Sequence, residues 1–196
     1  MLLHEYEYRI KERRLKRVIA VLAIVCVVSL AMLGINAWRT EQRRQIYVHS
    51  IVNNLGNLEV FMWGFYRNIE NGENPFDCYR WHSFEYTIRE IDNDIRMLEV
   101  PRNGRRATTP MSILGWHVTE LVREANEGQL EAAKDFLPRR SKELREIVSD
   151  LTVEWEEEWW GETVTVTGAN VRMSTRQFLS HIDEFTLSVI DERAKQ

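Results

Sequence analysis

Apolar residues in this chain follow two distinct patterns. The first is a solid run: Val18 to Trp38 is 21 residues without a charge, interrupted only by the polar side chains of Ser29 and Asn36. At ~1.5 Å per residue a helix of that length covers roughly 30 Å, the thickness of a bilayer's hydrocarbon core. A secretory signal has a shorter apolar core followed by a polar cleavage region. Here Ser29-Leu30-Ala31 has the small residues but leads into more apolar chain, and Cys26 sits mid-span behind bulky Val25, which does not suit lipidation. The run predicts a retained transmembrane helix, with Arg17 and Trp38 at its two membrane interfaces. No two small residues lie four apart along it, so the close-packing dimer motif is missing.

The second pattern is a repeating stripe. Val48, Ile51, Leu55, Leu58, Met62, Phe65 and Ile69 recur at spacings of 3 and 4 in strict alternation, until Asn71-Gly-Glu-Asn-Pro75 stops them. Trp81, Phe84, Ile88, Ile91, Ile95 and Leu98 repeat the pattern up to Pro101-Arg-Asn-Gly104. Thr109-Pro110 then predicts a helix start, hydroxyl cap followed by proline, for Met111, Leu114, Val118, Leu121 and Ala125. A fourth segment carries Leu130, Ala133 and Leu137, meets Pro138, where a kink or restart is expected, and resumes through Leu144, Val148, Leu151 and Trp155. "GETVTVTGANV" at 161–171 alternates threonine and valine and reads as a short strand or small hairpin. Ser174-Thr-Arg-Gln177 has the form of a capping box ahead of Phe178, Ile182, Phe185 and Val189.

Several narrow stripes joined by short polar connections are best satisfied by antiparallel packing around a shared core. One stripe alone could equally make a parallel coiled-coil dimer of the stalk. The expected fold is all-α: a single N-terminal transmembrane helix continuing into a four- or five-helix up-down bundle, with one short β-hairpin-like segment near residues 161–173. The expected divisions are a basic cytoplasmic tail (1–17), the span (18–38), a stalk (39–47) and an extracytoplasmic bundle (48–196).

Charge then orients the chain. The tail holds six of the 26 basic and three of the 30 acidic residues, which leaves 20 against 27 beyond the span, a net of about −7. The positive-inside bias places the N-terminus in the cytoplasm, although Arg39, Arg43 and Arg44 lie on the far flank. An outer domain this acidic excludes nucleic acid as a partner and is poorly suited to lying flat on anionic lipid. Cys26 lies inside the membrane and Cys78 outside it, so no internal disulfide is expected.

The densest candidate chemistry is "VEWEEEWW" at 153–160. On a helix, Trp155 and Trp159 would share a face and continue the fourth stripe, with Glu154, Glu156, Glu157 and Glu158 on the other sides. That makes the segment a helix end capping the core. A cation cage of indoles and carboxylates is chemically sensible, and a partner-binding patch of Trp155, Trp159 and Trp160 is the functional candidate, with Trp160 the most exposed. His49, His82, His117 and His181 fall on four different helices, three of them with glutamate three residues on (Glu85, Glu120, Glu184). Di-iron bundles use the opposite order, and each histidine flanks an apolar stripe, so solvated His–Glu pairs are expected and no metal or cofactor is assigned. The basic run Arg102-Asn-Gly-Arg105-Arg106 reads as a solvated connection. No phosphate loop, nucleophile elbow or zinc-protease motif occurs, so no catalytic residue is assigned.

The expectation is a single-pass cell-membrane protein whose outer bundle is an interaction or accessory subunit of an envelope complex, not an enzyme. Its partners would be the bilayer and a membrane or envelope protein, with a homodimer through the stalk also compatible. The alternative is an extracytoplasmic ligand-sensing bundle that signals through a partner, since no second span follows; a metal-binding bundle ranks below both.

Overall fold

The computed structural model describes residues 2–75, 78–99, 108–160 and 162–193, with side chains for 14–75, 80–99, 108–160 and 162–192. The chain is mostly helical. Helices α1 (Leu2–Glu70), α2 (Cys78–Leu98), α3 (Ser112–Asn126) and α4 (Leu130–Asp150) precede strands β1 (Thr152–Trp159) and β2 (Glu162–Ala169), and α5 (Thr175–Arg193) follows. The chain divides into two units, Met1–Arg44 and Gln45–Gln196.

In the first unit, α1 is apolar on all sides between Val18 and Trp38, and its large side chains are exposed throughout. A helix without a polar face is the pattern of a membrane span or a deeply buried core helix. By length and composition this helix can cross a membrane. Cys26 lies on it as an exposed free thiol, while the side chain of Cys78 falls outside the described residues.

In the second unit the predicted stripes form one core. All seven stripe residues of α1 from Val48 to Ile69 are buried, as are Phe84, Ile88, Ile91, Ile95 and Leu98 of α2. Trp81 is half-buried, its ring 5.7 Å from Phe65 and 5.5 Å from Phe84. Met111 and the stripes of α3 and α5 are buried too. The Val48–Ile69 stripe is thus covered by this chain's own helices. Gly115 sets the approach of α3 to α2, because a β-carbon there would stand 2.7 Å from Ile88 Cδ1.

Three local expectations are corrected. Thr109 does not cap α3; the helix begins at Ser112, and Asp92 of α2 accepts hydrogen bonds from the Met111 and Ser112 N–H groups at 2.7 and 3.2 Å. A carboxylate brought in by tertiary packing suits the positive end of the helix better than a local hydroxyl. Glu99 and Asp183 similarly accept from the Thr108 and Thr109 N–H groups, both at 2.7 Å, fixing the approach to α3. Pro138 lies inside α4, which runs through it without a restart. That helix ends at Asp150 and does not extend to Trp155, so the β-structure begins near 152 and not at 161. The capping box of α5 forms as expected, with Ser174 Oγ accepting from Gln177 N–H at 3.3 Å and Gln177 Oε1 accepting from Ser174 N–H at 3.4 Å. The Arg102–Arg106 run lies outside the described residues.

Beneath α5, Arg140 is 3% exposed. Its guanidinium donates to Glu143, to Ser188 Oγ and backbone oxygen, and to Glu192, and lies 5.5 and 5.9 Å from the ring centroids of Phe136 and Phe185. Arg139 reaches the same Glu192 carboxylate. Two ion-paired arginines on one acid tie α4 to the last turn of α5.

Candidate functional site

"VEWEEEWW" is a strand, not a helix end. β1 and β2 pair antiparallel over eight residues without a bulge, from Thr152↔Ala169 to Trp159↔Glu162. The reason is the run across from it: the Thr/Val alternation of β2 offers a β-forming partner, and pairing overrides the helical spacing. Leu151 and Ala169, both buried, anchor the base, and the Asn170 N–H donates to the Leu151 carbonyl at 2.8 Å.

Alternation gives the hairpin two chemically different faces. One carries Val153, Trp155, Glu157 and Trp159 across from Gly168, Val166, Val164 and Glu162. The other carries Glu154, Glu156 and Glu158 across from Thr167, Thr165 and Thr163. Trp155 and Trp159 therefore share a face, as expected, but through a period of two and not a helical turn. The shared acceptor between them was not foreseen. The Glu157 carboxylate accepts from the Trp155 indole N–H at 2.7 Å and from that of Trp159 at 2.9 Å. Those two bonds, Trp155's first, hold the Glu157 carboxyl below its ordinary pKa.

Exposure rises toward the tip: 37% at Trp155, 59% at Trp159 and 99% at Trp160. Trp160 opens the two-residue connection with φ +56°, the left-handed region. Tight hairpin connections need positive φ, which Gly, Asn and Asp supply with least strain. For a bulky side chain that conformation costs about 1–2 kcal/mol, and an almost fully exposed indole recovers little of it through contacts within the chain.

At the hairpin's base a cleft of ≈540 Å³ is lined by His49, Val153, Glu154, Trp155, Asn170 and Arg172, among others. His49 is its unforeseen contributor; a β-carbon on nearby Gly168 would meet both the Trp155 ring and His49. The other predicted site residues are dispersed. Arg17 and Trp38 are exposed on the N-terminal part of α1. His82 is exposed along an open groove between α1 and α2, beside Phe61 and Tyr86. His181 is half-buried on α5. His117 is not solvated: it is 4% exposed, with its ring edge-on to Phe136 at 4.7 Å. It turns inward because its neighbours Leu114, Val118 and Leu121 pull that side of α3 into the core. Among the described residues no three His, Cys, Asp or Glu side chains cluster as a metal site.

The signal that could have located the hairpin was the Trp160-Gly161 pair between two runs that each tolerate a period of two. Compared with known families, curated proteins and solved structures, the chain matches none.

Proposed function

We propose that this chain is a single-pass membrane protein with a cytoplasmic N-terminus, and that its extracytoplasmic helical domain presents the β1–β2 hairpin to a protein partner in a cell-envelope complex. The anchor is supported by the charge-free, fully exposed stretch of α1 between Val18 and Trp38 and by the basic tail before it. Trp160 carries the docking role. A tryptophan held at φ +56° and 99% exposed is locally unfavourable twice over. Strain and exposure concentrate in this way at sites whose stabilising contacts come from a partner.

A photo-crosslinking residue at position 160, introduced into the membrane-embedded protein in its source cells, tests this. A protein adduct of defined mass is expected from position 160 and none from exposed Lys142 on α4. Adducts with lipid alone, or identical adducts from both positions, would overturn the docking role.

The cleft beside His49 favours a second reading, a small-ligand sensor, because Arg172, His49 and Trp155 offer charge and an aromatic wall in one concavity. A compound that raises the melting temperature of the wild type, but not of a His49→Ala variant, would establish it. A screen without such a compound would dismiss it.

A further inference from the structure

Among the described residues the sheet has two strands, so β1 has an outer edge. Trp159 and Glu162 flank a two-residue connection and form the hydrogen-bonded pair next to it, and such pairs recur at every second residue. The Asn170 to Leu151 bond keeps the same phase beyond the strand ends. Val153, Trp155, Glu157 and Trp159 therefore direct their backbone groups to β2, and Glu154, Glu156 and Glu158 direct theirs outward. These three also carry their carboxylates on one face, about 7 Å from one to the next. Among the described residues no ion pair reaches any of them, although ion pairs form on the helices nearby.

We infer that the outer edge of β1 is a strand-addition site, and that its occupant is an extended segment of a partner protein in which basic and apolar side chains alternate. The inference rests on the docking role proposed for the hairpin and names the chemistry of its partner. A strand laid along β1 takes up the outward N–H and C=O groups of Glu154, Glu156 and Glu158. On the glutamate face its lysines or arginines stand directly across from carboxylates, the favourable cross-strand arrangement. On the opposite face its apolar side chains extend the surface of Trp155 and Trp159. The same charges exclude a second copy of β1, which would set glutamate beside glutamate. The three glutamates thus guard the edge against self-association while selecting a basic strand. The edge of β2 carries Thr163, Thr165 and Thr167 at the equivalent positions and has no charge with which to select.

The test uses the full-length protein in detergent micelles and a short capped, fluorescently labelled peptide alternating lysine and valine, followed by anisotropy. Saturable binding is expected, with hydrogen-exchange protection at the Glu154, Glu156 and Glu158 amides. Glu156→Lys should weaken binding roughly tenfold, and only the variant with lysine at all three of positions 154, 156 and 158 should bind a glutamate–valine peptide instead. Glu156→Gln, which keeps shape without charge, should fall between wild type and Glu156→Lys and serves where the latter misfolds. Backbone N-methylation along one edge of the lysine–valine peptide should abolish binding. Equal binding by the N-methylated or a shuffled peptide, or absence of protection at the three amides, would overturn strand addition. If the peptide fails while crosslinking at position 160 still captures a protein, strand addition is wrong and the docking role stands. If the peptide fails and brominated lipid in liposomes quenches Trp159 and Trp160, the face belongs to the bilayer and both are wrong.

Discussion

The indole of Trp155 lies across Gly168, so close that a β-carbon there would stand 2.6 Å from Cη2 and 3.0 Å from Cζ3. The two are diagonal neighbours, since Trp155 pairs with Val166 and Gly168 with Val153. The absent side chain on β2 makes room for the large one on β1, and the ring in turn walls the cleft beside His49.

Gly168→Ala should therefore displace the indole. An aromatic ring cannot yield like the end of a flexible side chain, so a loss of about 1–2 kcal/mol is expected, as for other overpacked positions. Near-UV circular dichroism and urea unfolding would register it. An unchanged spectrum and midpoint would mean the ring does not rest there in solution.

Glu157→Ala removes the acceptor shared by Trp155 and Trp159. The hydrogen bonds from the two indoles hold the folded pKa of Glu157 down, so the contact is intact above the ordinary value of 4.5 and is lost as pH falls through the lower folded value. Tryptophan emission of the wild type should show an acid transition below pH 4.5 that the alanine variant lacks. The same transition in both proteins would assign it to another group.

Arg140→Ala takes a buried donor from Glu143, Ser188 and Glu192, of which Glu192 keeps its bonds from Arg139, at a cost of about 2 kcal/mol measured by urea unfolding. Adding Glu192→Leu should give a loss smaller than the sum of the two single changes, because both remove the same Arg140–Glu192 bond. Strict additivity would show that the ion pair is not coupled.

Glu192 also sets an acid limit on stability. Burial pushes its pKa up, but the hydrogen bonds from Arg139 and Arg140, with their charges, outweigh burial, and the net shift is downward. Its contribution is thus fully present above the ordinary value of 4.5 and disappears as pH falls through the depressed folded value. The urea-midpoint gap between wild type and Glu192→Gln should be constant from neutral pH down to 4.5, close as pH falls from there to the folded value, and be gone below it. A gap that widens in acid would contradict the direction.

Asp92→Ala should cost about 1 kcal/mol, a typical helix-cap loss, and speed hydrogen exchange at the Met111 and Ser112 amides. If exchange quickens at Thr109 instead, the Asp183 contact carries the helix start.

Much of this protein was fixed by local sequence. The apolar run from Val18 to Trp38, the stripes at spacings of 3 and 4, and the capping box at Ser174 each place their element, because a helix writes its period directly into which positions are apolar. Where contacts distant in sequence decide, the chain alone was ambiguous. Trp155 and Trp159 are four apart, a separation that returns to the same face of a helix and of a strand alike, so only pairing with β2 determined which it was. The start of α3 waited on Asp92, some twenty residues earlier in the chain. His117 sits beside a stripe in sequence, but packing against Phe136 buried it. The outward edge of Glu154, Glu156 and Glu158 likewise exists only in the tertiary structure. Their charges are written in the sequence, but the direction of a backbone N–H depends on hydrogen bonds that a distant segment either makes or leaves open.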